Sequence, residues 1–191
     1  MFATRALILA SALAAAALAL PSAARAQLPA QAEVQILMRV LAYDRALDRN
    51  GGGDVVVAVL FDAGNAASSR ARGDLVRELH SPNLQTILGR GVKVMEVNVA
   101  AGGLGDALRA AHASAAYLTP GLEGRLSGVL AATESARVTT VGGSESYARR
   151  GVAVGVSAES GRPQLFVNLA SARAAGADLP SSLLRLTTVI Q

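Results

Sequence analysis

The sequence predicts an α/β protein: a three-layer sandwich with a mainly parallel sheet, helices on both faces and an antiparallel hairpin near the C-terminus. Apolar runs of strand length alternate with amphipathic stretches of helix length, which indicates successive βα units. The first run, Val55 to Phe61, is continuously apolar, as is typical of a strand buried on both faces of a parallel sheet. Beyond residue 150 the pattern changes to short strands joined by a tight turn, which favours a hairpin.

The first 26 residues are predicted to be a cleaved signal peptide. Arg5 precedes a charge-free apolar run from Ala6 to Leu20, and Ala24-Arg25-Ala26 has the small-x-small pattern of a cleavage site. The run is shorter than the roughly 20 apolar residues of a spanning helix, and a retained single-pass anchor is the alternative. Cleavage after Ala26 predicts a periplasmic protein in which residues 27–191 form a single domain.

Composition excludes several classes of function. The net charge of the 191-residue chain is +4, and it falls to +2 when Arg5 and Arg25 leave with the signal peptide. The absence of Cys excludes disulfides, thiol catalysis and Cys-containing zinc sites. Aromatic residues make up 3% of the chain, too few for a nucleic-acid stacking platform. The two histidines, His80 and His112, lack metal-ligand spacing, so we expect neither a metal nor a cofactor.

Hydrophobic periodicity predicts the elements of the first half of the mature chain. They are a helix over Gln31–Asp48, a buried strand over Val55–Phe61, a helix over 65–80, a short turn over 84–88, a strand over Val92–Val99 and a helix over 104–113.

The second half continues the alternation and then departs from it. The predicted elements are a short strand over 115–119, a helix over 122–135, a strand over 137–141, a half-buried strand over 152–157, a returning strand over 164–168, and helices over 170–175 and 181–189. In the last helix, Leu183, Leu186 and Ile190 form a stripe predicted to pack on the sheet.

Polar residues directly after the first strand are the best generic candidates for a binding pocket. Asp62 and Asn65 follow the strand end at Phe61, and open α/β sheets bind ligands in the crevice at the carboxyl ends of their strands. Helix capping is the competing interpretation of Asn65, because Asn is a preferred N-cap residue.

Two glycine-containing turns are weaker candidates. Gly142, Gly143 and Ser144 follow the last parallel strand and could hold a small anion with backbone N–H groups, although a tight turn is the simpler interpretation. Gly103-Leu-Gly105 resembles part of a dinucleotide-binding turn, but its third glycine is replaced by Leu108. The charged residues Asp44, Arg45, Asp48 and Arg49 predict a solvated helix face or a partner-contacting one.

The C-terminal stretch is the most specific feature of the sequence. Tyr147-Ala-Arg-Arg-Gly151 precedes a strand, the turn at 159–162 follows, and Phe166-Val-Asn168-Leu169, Ala172-Arg173, Ala175-Gly176 and Ser181-Ser-Leu-Leu-Arg185-Leu186 complete the order. This order resembles the end of the YfiR-like family of bacterial periplasmic proteins. The first helix, from Ile36 to Asp44, is similar to the opening helix of that family.

The resemblance implies a non-catalytic periplasmic regulator. Such a protein binds and restrains the periplasmic domain of an inner-membrane signalling enzyme, such as a diguanylate cyclase or a sensor kinase, and thereby controls cyclic di-GMP and biofilm formation. Redox control through disulfides, suggested for other members, is impossible without Cys. A homodimer is compatible with this role, and a periplasmic small-molecule binding protein is the alternative. No nucleophile-elbow motif supports a hydrolase.

The family-motif residues have mainly structural interpretations. Asn168 ends a strand and can bond to the backbone that enters the next helix, while Gly176 suits a helix end. The remaining motif residues, which are polar and lie on short terminal helices, are Arg173, Ser182 and Arg185.

Overall fold

The computed structural model describes residues 28–49, 53–159 and 162–190. Within these ranges one mixed sheet is covered by helices on both faces, so the predicted α/β class is confirmed. The strands are β1 (Val55–Phe61), β2 (Thr86–Ile87), β3 (Arg90–Asn98), β4 (Ala113–Leu118), β5 (Thr139–Gly142), β6 (Val154–Glu159), β7 (Arg162–Asn168) and β8 (Thr188–Ile190). The helices are α1 (Ala30–Tyr43), α2 (Arg45–Arg49), α3 (Ala66–Leu79), α4 (Leu104–Ala110), α5 (Leu126–Ser135), α6 (Glu145–Arg149), α7 (Leu169–Ala174) and α8 (Ser181–Leu184).

The strand order creates a switch point beside the first strand. The order is β2-β3-β1-β4-β5-β6-β7-β8, with β3, β1, β4, β5 and β6 parallel and the predicted β6–β7 hairpin antiparallel. The chain runs from β1 outward to β3 and then returns to the other side of β1 as β4. The carboxyl ends of the parallel strands therefore share one margin of the sheet, named here the carboxyl edge, and their starts share the opposite margin, the amino edge.

Alternating side chains of β1 explain why its sequence is continuously apolar. Val57 and Val59 face the layer that holds α1 and α3, where Leu37 and Leu75 pack. Ala58 and Leu60 face the opposite layer, which holds α4, α5 and α6. Because helices cover both faces, neither set of β1 positions tolerates a polar residue.

The predicted helix over Gln31–Asp48 is two helices, because the chain breaks at Asp44. The backbone of Asp44 is extended, and its carboxylate accepts hydrogen bonds from the backbone N–H groups of Ala46 and Asp178, each at 2.9 Å. Asp44 is buried, so its predicted place on a solvated or partner-contacting face is wrong. The side chains of Asp48 and Arg49 lie outside the described part of the chain.

The C-terminal helix predicted over 181–189 is wrong beyond Leu184. Residues 188–190 form β8, which pairs in parallel with β7, Phe166 facing Thr188. Thr187, Thr188, Val189 and Ile190 are β-branched, which disfavours a helix and suits the free margin of a sheet. Leu186 consequently does not pack on the sheet, and 78% of its surface is exposed.

In the segment predicted as a half-buried strand over 152–157, residues 152–156 are buried and Ser157 is half-buried, and the strand formed there is β6. The helix α6, which the sequence pattern did not reveal, covers one of its faces so closely that a Cβ at Gly155 would lie 2.5 Å from the Ser144 carbonyl oxygen. Alternation of Val with Ala and Gly in this strand therefore reflects close packing of a short helix, not exposure to solvent.

Candidate functional site

The carboxyl edge beside β1 contains the first sequence-predicted site residue, Asp62. Its carboxylate accepts hydrogen bonds from Arg125 Nε at 2.9 Å and from the Gly64 N–H at 2.8 Å. The hydrogen bond from Arg125, followed by that from Gly64, lowers the pKa of Asp62. An ionised carboxylate is thus held at the strand end by a guanidinium of the same chain.

Two hydroxyl groups, those of Ser68 and Thr119, connect the ends of β1 and β4 through hydrogen bonds. The Asp62 N–H donates to Ser68 Oγ at 2.9 Å, and Ser68 Oγ lies 2.6 Å from Thr119 Oγ1. Thr119 Oγ1 in turn donates to the Leu60 carbonyl at 2.9 Å. These bonds join α3, β1 and the loop after β4, so the polar groups at the switch point satisfy one another.

Asn65 caps α3 and packs against the loop after β4. Its side-chain oxygen accepts from the N–H groups of Ala67 and Ser68, both at 3.0 Å. A Cβ at Gly121 would lie 2.5 Å from the Asn65 amide nitrogen, and Gly121 has φ +87°. Only glycine fits this loop, because it accepts the left-handed backbone and leaves room for the cap.

Gly142, Gly143 and Ser144 reach the same edge at the end of β5, but β4 separates them from Asp62 and Asn65 by two strand spacings, roughly 10 Å. A Cβ at Gly142 would lie 2.5 Å from the Tyr147 ring. At Gly143 it would lie 2.8 Å from Glu33 Oε1 and 2.9 Å from the Tyr117 hydroxyl. Ser144 Oγ caps α6 by accepting from the Tyr147 N–H at 3.2 Å.

Glu33, in the first turn of α1, is the buried acid of this edge. The Tyr117 hydroxyl donates to Glu33 Oε2 at 2.7 Å. Burial raises the pKa of Glu33, and the hydrogen bond from Tyr117 offsets part of that rise. Burial, together with the carboxylate of Glu33, raises the pKa of Tyr117 well above its usual value.

Tyr147 fixes the loop between β4 and α5. Its hydroxyl donates to the Thr119 carbonyl at 2.9 Å and accepts from the Leu122 N–H at 3.0 Å. Burial is the main reason that the pKa of Tyr147 is raised. The phenol therefore stays neutral and acts as a structural donor and acceptor.

A cleft of about 280 Å³ opens between the starts of α1 and α3. Glu33 lies in its lining, Arg70 and Asp74 are its exposed charged members, and its apolar members are Leu28, Ala30, Ala67, Ala71, Leu75 and Pro120. The cleft combines apolar walls with a carboxyl group able to bond to a polar group of a small ligand.

The family-motif residues lie away from this cleft. Asn168 Oδ1 accepts from the Ser171 N–H at 3.0 Å, and its Nδ2 donates to the Ala148 carbonyl at 3.1 Å. Gly176 follows α7 with φ +83°. The other family-motif residues, Arg173, Ser182 and Arg185, are exposed.

Sequence reasoning missed Glu33, Tyr117, Tyr147 and Arg125. A signal for Glu33 was present, because it lies four residues before Leu37 and seven before Val40, both buried in α1. Tyr147 lies in the family motif, but neither it nor Arg125 has a local signal for its contacts, because their partners are distant in sequence and meet only when β1, β4 and α6 pack.

The described residues contain no group of three His, Cys, Asp or Glu side chains that could hold a metal ion. In the same part of the chain, no helix is long and apolar enough to cross a membrane. The predicted signal peptide lies outside the described residues.

Gly103 has φ +67° and directly precedes α4, and Gly105 lies within that helix.

The strand order defines an α/β domain with its switch point between β1 and β4. At this point the carboxyl edge is filled by side chains that hydrogen-bond to one another. Solved structures with this fold include a conserved domain protein from Vibrio cholerae O1 biovar El Tor, at 14% identity and a TM-score of 0.60. A domain from Streptococcus pneumoniae in complex with L-Trp has 13% identity and a TM-score of 0.57. An open, ligand-free substrate-binding protein with adhesive properties from Clostridium difficile has 12% identity and a TM-score of 0.57. The alignments cover 85%, 85% and 83% of this chain, but only 60%, 62% and 58% of the respective structures.

The chain belongs to the YfiR/HmsC-like family, whose profile matches residues 31–188. The resemblance found in the sequence is therefore confirmed. At the level of the family, membership supports a regulatory, non-catalytic periplasmic protein in cyclic di-GMP signalling. A search of curated proteins found no match.

Proposed function

We propose that the protein is a periplasmic regulator that binds the exported domain of an inner-membrane signalling enzyme, such as a diguanylate cyclase, and restrains it. The family match over residues 31–188 is the observation that carries this proposal. In this proposal, cleavage after Ala26 releases residues 27–191 as one domain. The hydrogen bonds of Asp62 and Tyr147 within the chain give these groups structural roles, which accords with a regulator that acts by binding.

Deletion of the gene tests this function. Loss of a restraining partner is expected to raise cyclic di-GMP and surface attachment, and expression of the wild-type chain should restore both. A photo-crosslinking residue placed at the exposed Leu186 should capture an inner-membrane protein in intact cells, and one placed at the buried Leu75 serves as the control. Unchanged cyclic di-GMP in the deletion strain, with no membrane protein captured, would contradict the proposal.

The second candidate is a small-molecule binding protein, and the cleft beside Glu33 favours it. Two of the proteins that share the fold are described as a complex with L-Trp and as a substrate-binding protein. A thermal-shift screen of amino acids, purines and sugars tests this function, since a ligand that binds only the folded state raises Tm. The variant Ala71→Leu should fill the cleft and abolish the shift. A screen without any shift would remove this candidate.

A further inference from the structure

A second and larger cleft lies at the amino edge of the sheet. Its volume is about 740 Å³, within the range of small-molecule sites. The charged and titratable residues among its described lining are Arg90, Lys93, Arg109, His112, Arg137, Asp44 and Asp54. Basic groups thus outnumber carboxylates around this cleft.

The two carboxylates of the cleft are already engaged. Asp44 is buried and accepts bonds from two backbone N–H groups. Asp54 forms an ion pair with Lys93, Oδ2 to Nζ 2.7 Å. Arg109 Nη2 lies 2.6 Å from Oδ1 of the exposed Asp106, a surface ion pair that stabilises the protein little and that a bound anion would compete with. With the other described residues, His112 and Arg137 form no side-chain hydrogen bond or ion pair.

Sheet register brings the ends of α4 and α5 together. Ala115 of β4 pairs with Thr139, the first residue of β5, about 4.8 Å away, so β4 begins two residues before the level at which β5 begins. His112 lies three residues before Ala115, and Arg137 lies two residues before Thr139, so the two positions differ by about one residue in level. Arg109 lies about one helical turn before His112 and donates to Ser135 Oγ at 3.3 Å, which bridges the ends of α4 and α5.

The backbone at two of these positions is strained. His112 and Arg137 have φ +50° and +54°, and each stands just beyond the end of a helix, where glycine is the usual residue. Gly176 fills the equivalent place after α7. The helix dipole favours a cation at each helix end, but Arg109 provides one from within the last turn of α4 without strain. At the end of α4 the side chain of His112 therefore stands against the preference of the backbone, as at functional sites. The last turn of α5 has no basic residue, so Arg137 is the cation that the dipole favours at that helix end.

We propose that the amino-edge cleft binds a phosphate-bearing anion through Arg109, His112 and Arg137. Guanidinium groups match the oxygens of a phosphate, and the imidazole adds an N–H donor. Three donors that line one cleft beside two helix ends suit a tetrahedral anion with several oxygens. A phospholipid headgroup and a soluble phosphate ester share this chemistry. Anion binding at this cleft is independent of which protein partner the chain binds.

The test uses the purified mature chain in two arms at low ionic strength. In the first, the protein is sedimented with vesicles of phosphatidylglycerol and phosphatidylcholine, and with phosphatidylcholine vesicles alone. In the second, glycerol 3-phosphate is titrated without vesicles and followed by backbone amide shifts. Binding to the anionic vesicles alone assigns a lipid headgroup, and saturable shifts around residues 109–112 and 135–138 assign a soluble ester. Absence of binding in both arms overturns the proposal.

Glycine variants separate binding from folding. His112→Gly and Arg137→Gly relieve the left-handed backbone and are expected to keep Tm at or above the wild-type value. Arg137→Gly should weaken binding about fivefold, the effect of one cation at an anionic surface. His112→Gly removes one N–H donor and should weaken binding less, and the double variant should weaken it more than Arg137→Gly alone. Arg39→Gln removes an exposed cation from α1 and should leave binding within about twofold. Equal losses of affinity in Arg39→Gln and Arg137→Gly would show that binding depends only on the overall charge of the protein, and would overturn the proposed site.

Discussion

At the carboxyl edge, the side chains of Asp62, Thr119 and Glu33 each bond to another side chain of the protein. At the amino edge, the side chains of His112 and Arg137 bond to none of the other described residues. Open α/β sheets ordinarily bind ligands at the carboxyl edge. In this protein the polar groups beside β1 are largely committed to the fold, while groups suited to recognition remain available at the opposite margin. We therefore expect substitutions at the first edge to change stability and substitutions at the second to change binding.

The largest expected effect follows from removing Tyr147. Tyr147→Ala deletes a buried ring and both hydroxyl bonds to the loop after β4, and should lower the free energy of unfolding by about 3–5 kcal/mol. Urea denaturation measures this loss. Tyr43→Ala, which removes a tyrosine that is 42% exposed, is the matched control and should cost much less. Equal costs for the two variants would show that the carboxyl edge is not held by this side chain.

A methyl group at Gly121 should also destabilise the carboxyl edge. Gly121→Ala forces a Cβ into left-handed backbone and against the Asn65 cap, with an expected cost of about 2–3 kcal/mol. Gly124→Ala is the control, since nothing lies within 4 Å of its Cβ position. The two variants are compared by thermal and urea unfolding. A stable Gly121→Ala variant would mean that the cap and the loop do not constrain each other.

Glu33 should give the carboxyl edge a pH-dependent stability. Because burial raises the pKa of Glu33 in the folded state, its contribution is fully present below the unfolded value near 4.5 and is lost as pH rises through the folded value. Glu33→Gln cannot ionise and keeps an acceptor for Tyr117. The Tm of this variant minus that of the wild type should therefore increase as pH increases from 4 to 7.5. The exposed Glu134→Gln removes the same charge from the surface and is the control. A constant difference in Tm between Glu33→Gln and the wild type would contradict the assignment.

The smallest effect on stability is expected at the amino edge. In His112→Gly and Arg137→Gly, glycine relieves the left-handed backbone of the folded state but gives the unfolded chain more conformational freedom. Because the first effect is the larger one, each variant should be more stable than the wild type by less than about 1 kcal/mol. Differential scanning calorimetry measures the change. Destabilisation as large as that of Gly121→Ala would mean that these side chains hold the fold together and would remove the contrast between the two edges.

Much of the fold could be predicted from local pattern. The bounds of β1 and the cap of α3 by Asn65 agree with the sequence, because a seven-residue apolar run and an Asn at a helix start are strong local signals. The end of the chain could not be predicted in this way. Residues 188–190 form a strand because β7 offers an unpaired margin beside them, and that margin exists only after the sheet has formed.

The candidate site was less predictable than the fold. Asp62 and Asn65 were found because they follow a recognisable strand, whereas Arg125, 63 residues from Asp62, had no local signal. The two edges also differ in whether a local sequence signal marks their residues. The sequence around His112 bears only on metal binding, and its place in the same cleft as Arg137 follows from the packing of β4 with β5.

The alternation of strands and helices, the absence of cysteine chemistry and membership of the YfiR/HmsC-like family can be read from the amino-acid sequence, because they depend on residue type and spacing along the chain. Which polar groups are satisfied depends on tertiary packing. Glu33 meets Tyr117 across 84 residues, and Ser68 meets Thr119 across 51. Such pairs form when distant segments pack around the sheet, so the burial of one edge and the openness of the other are properties of the fold and not of any local motif.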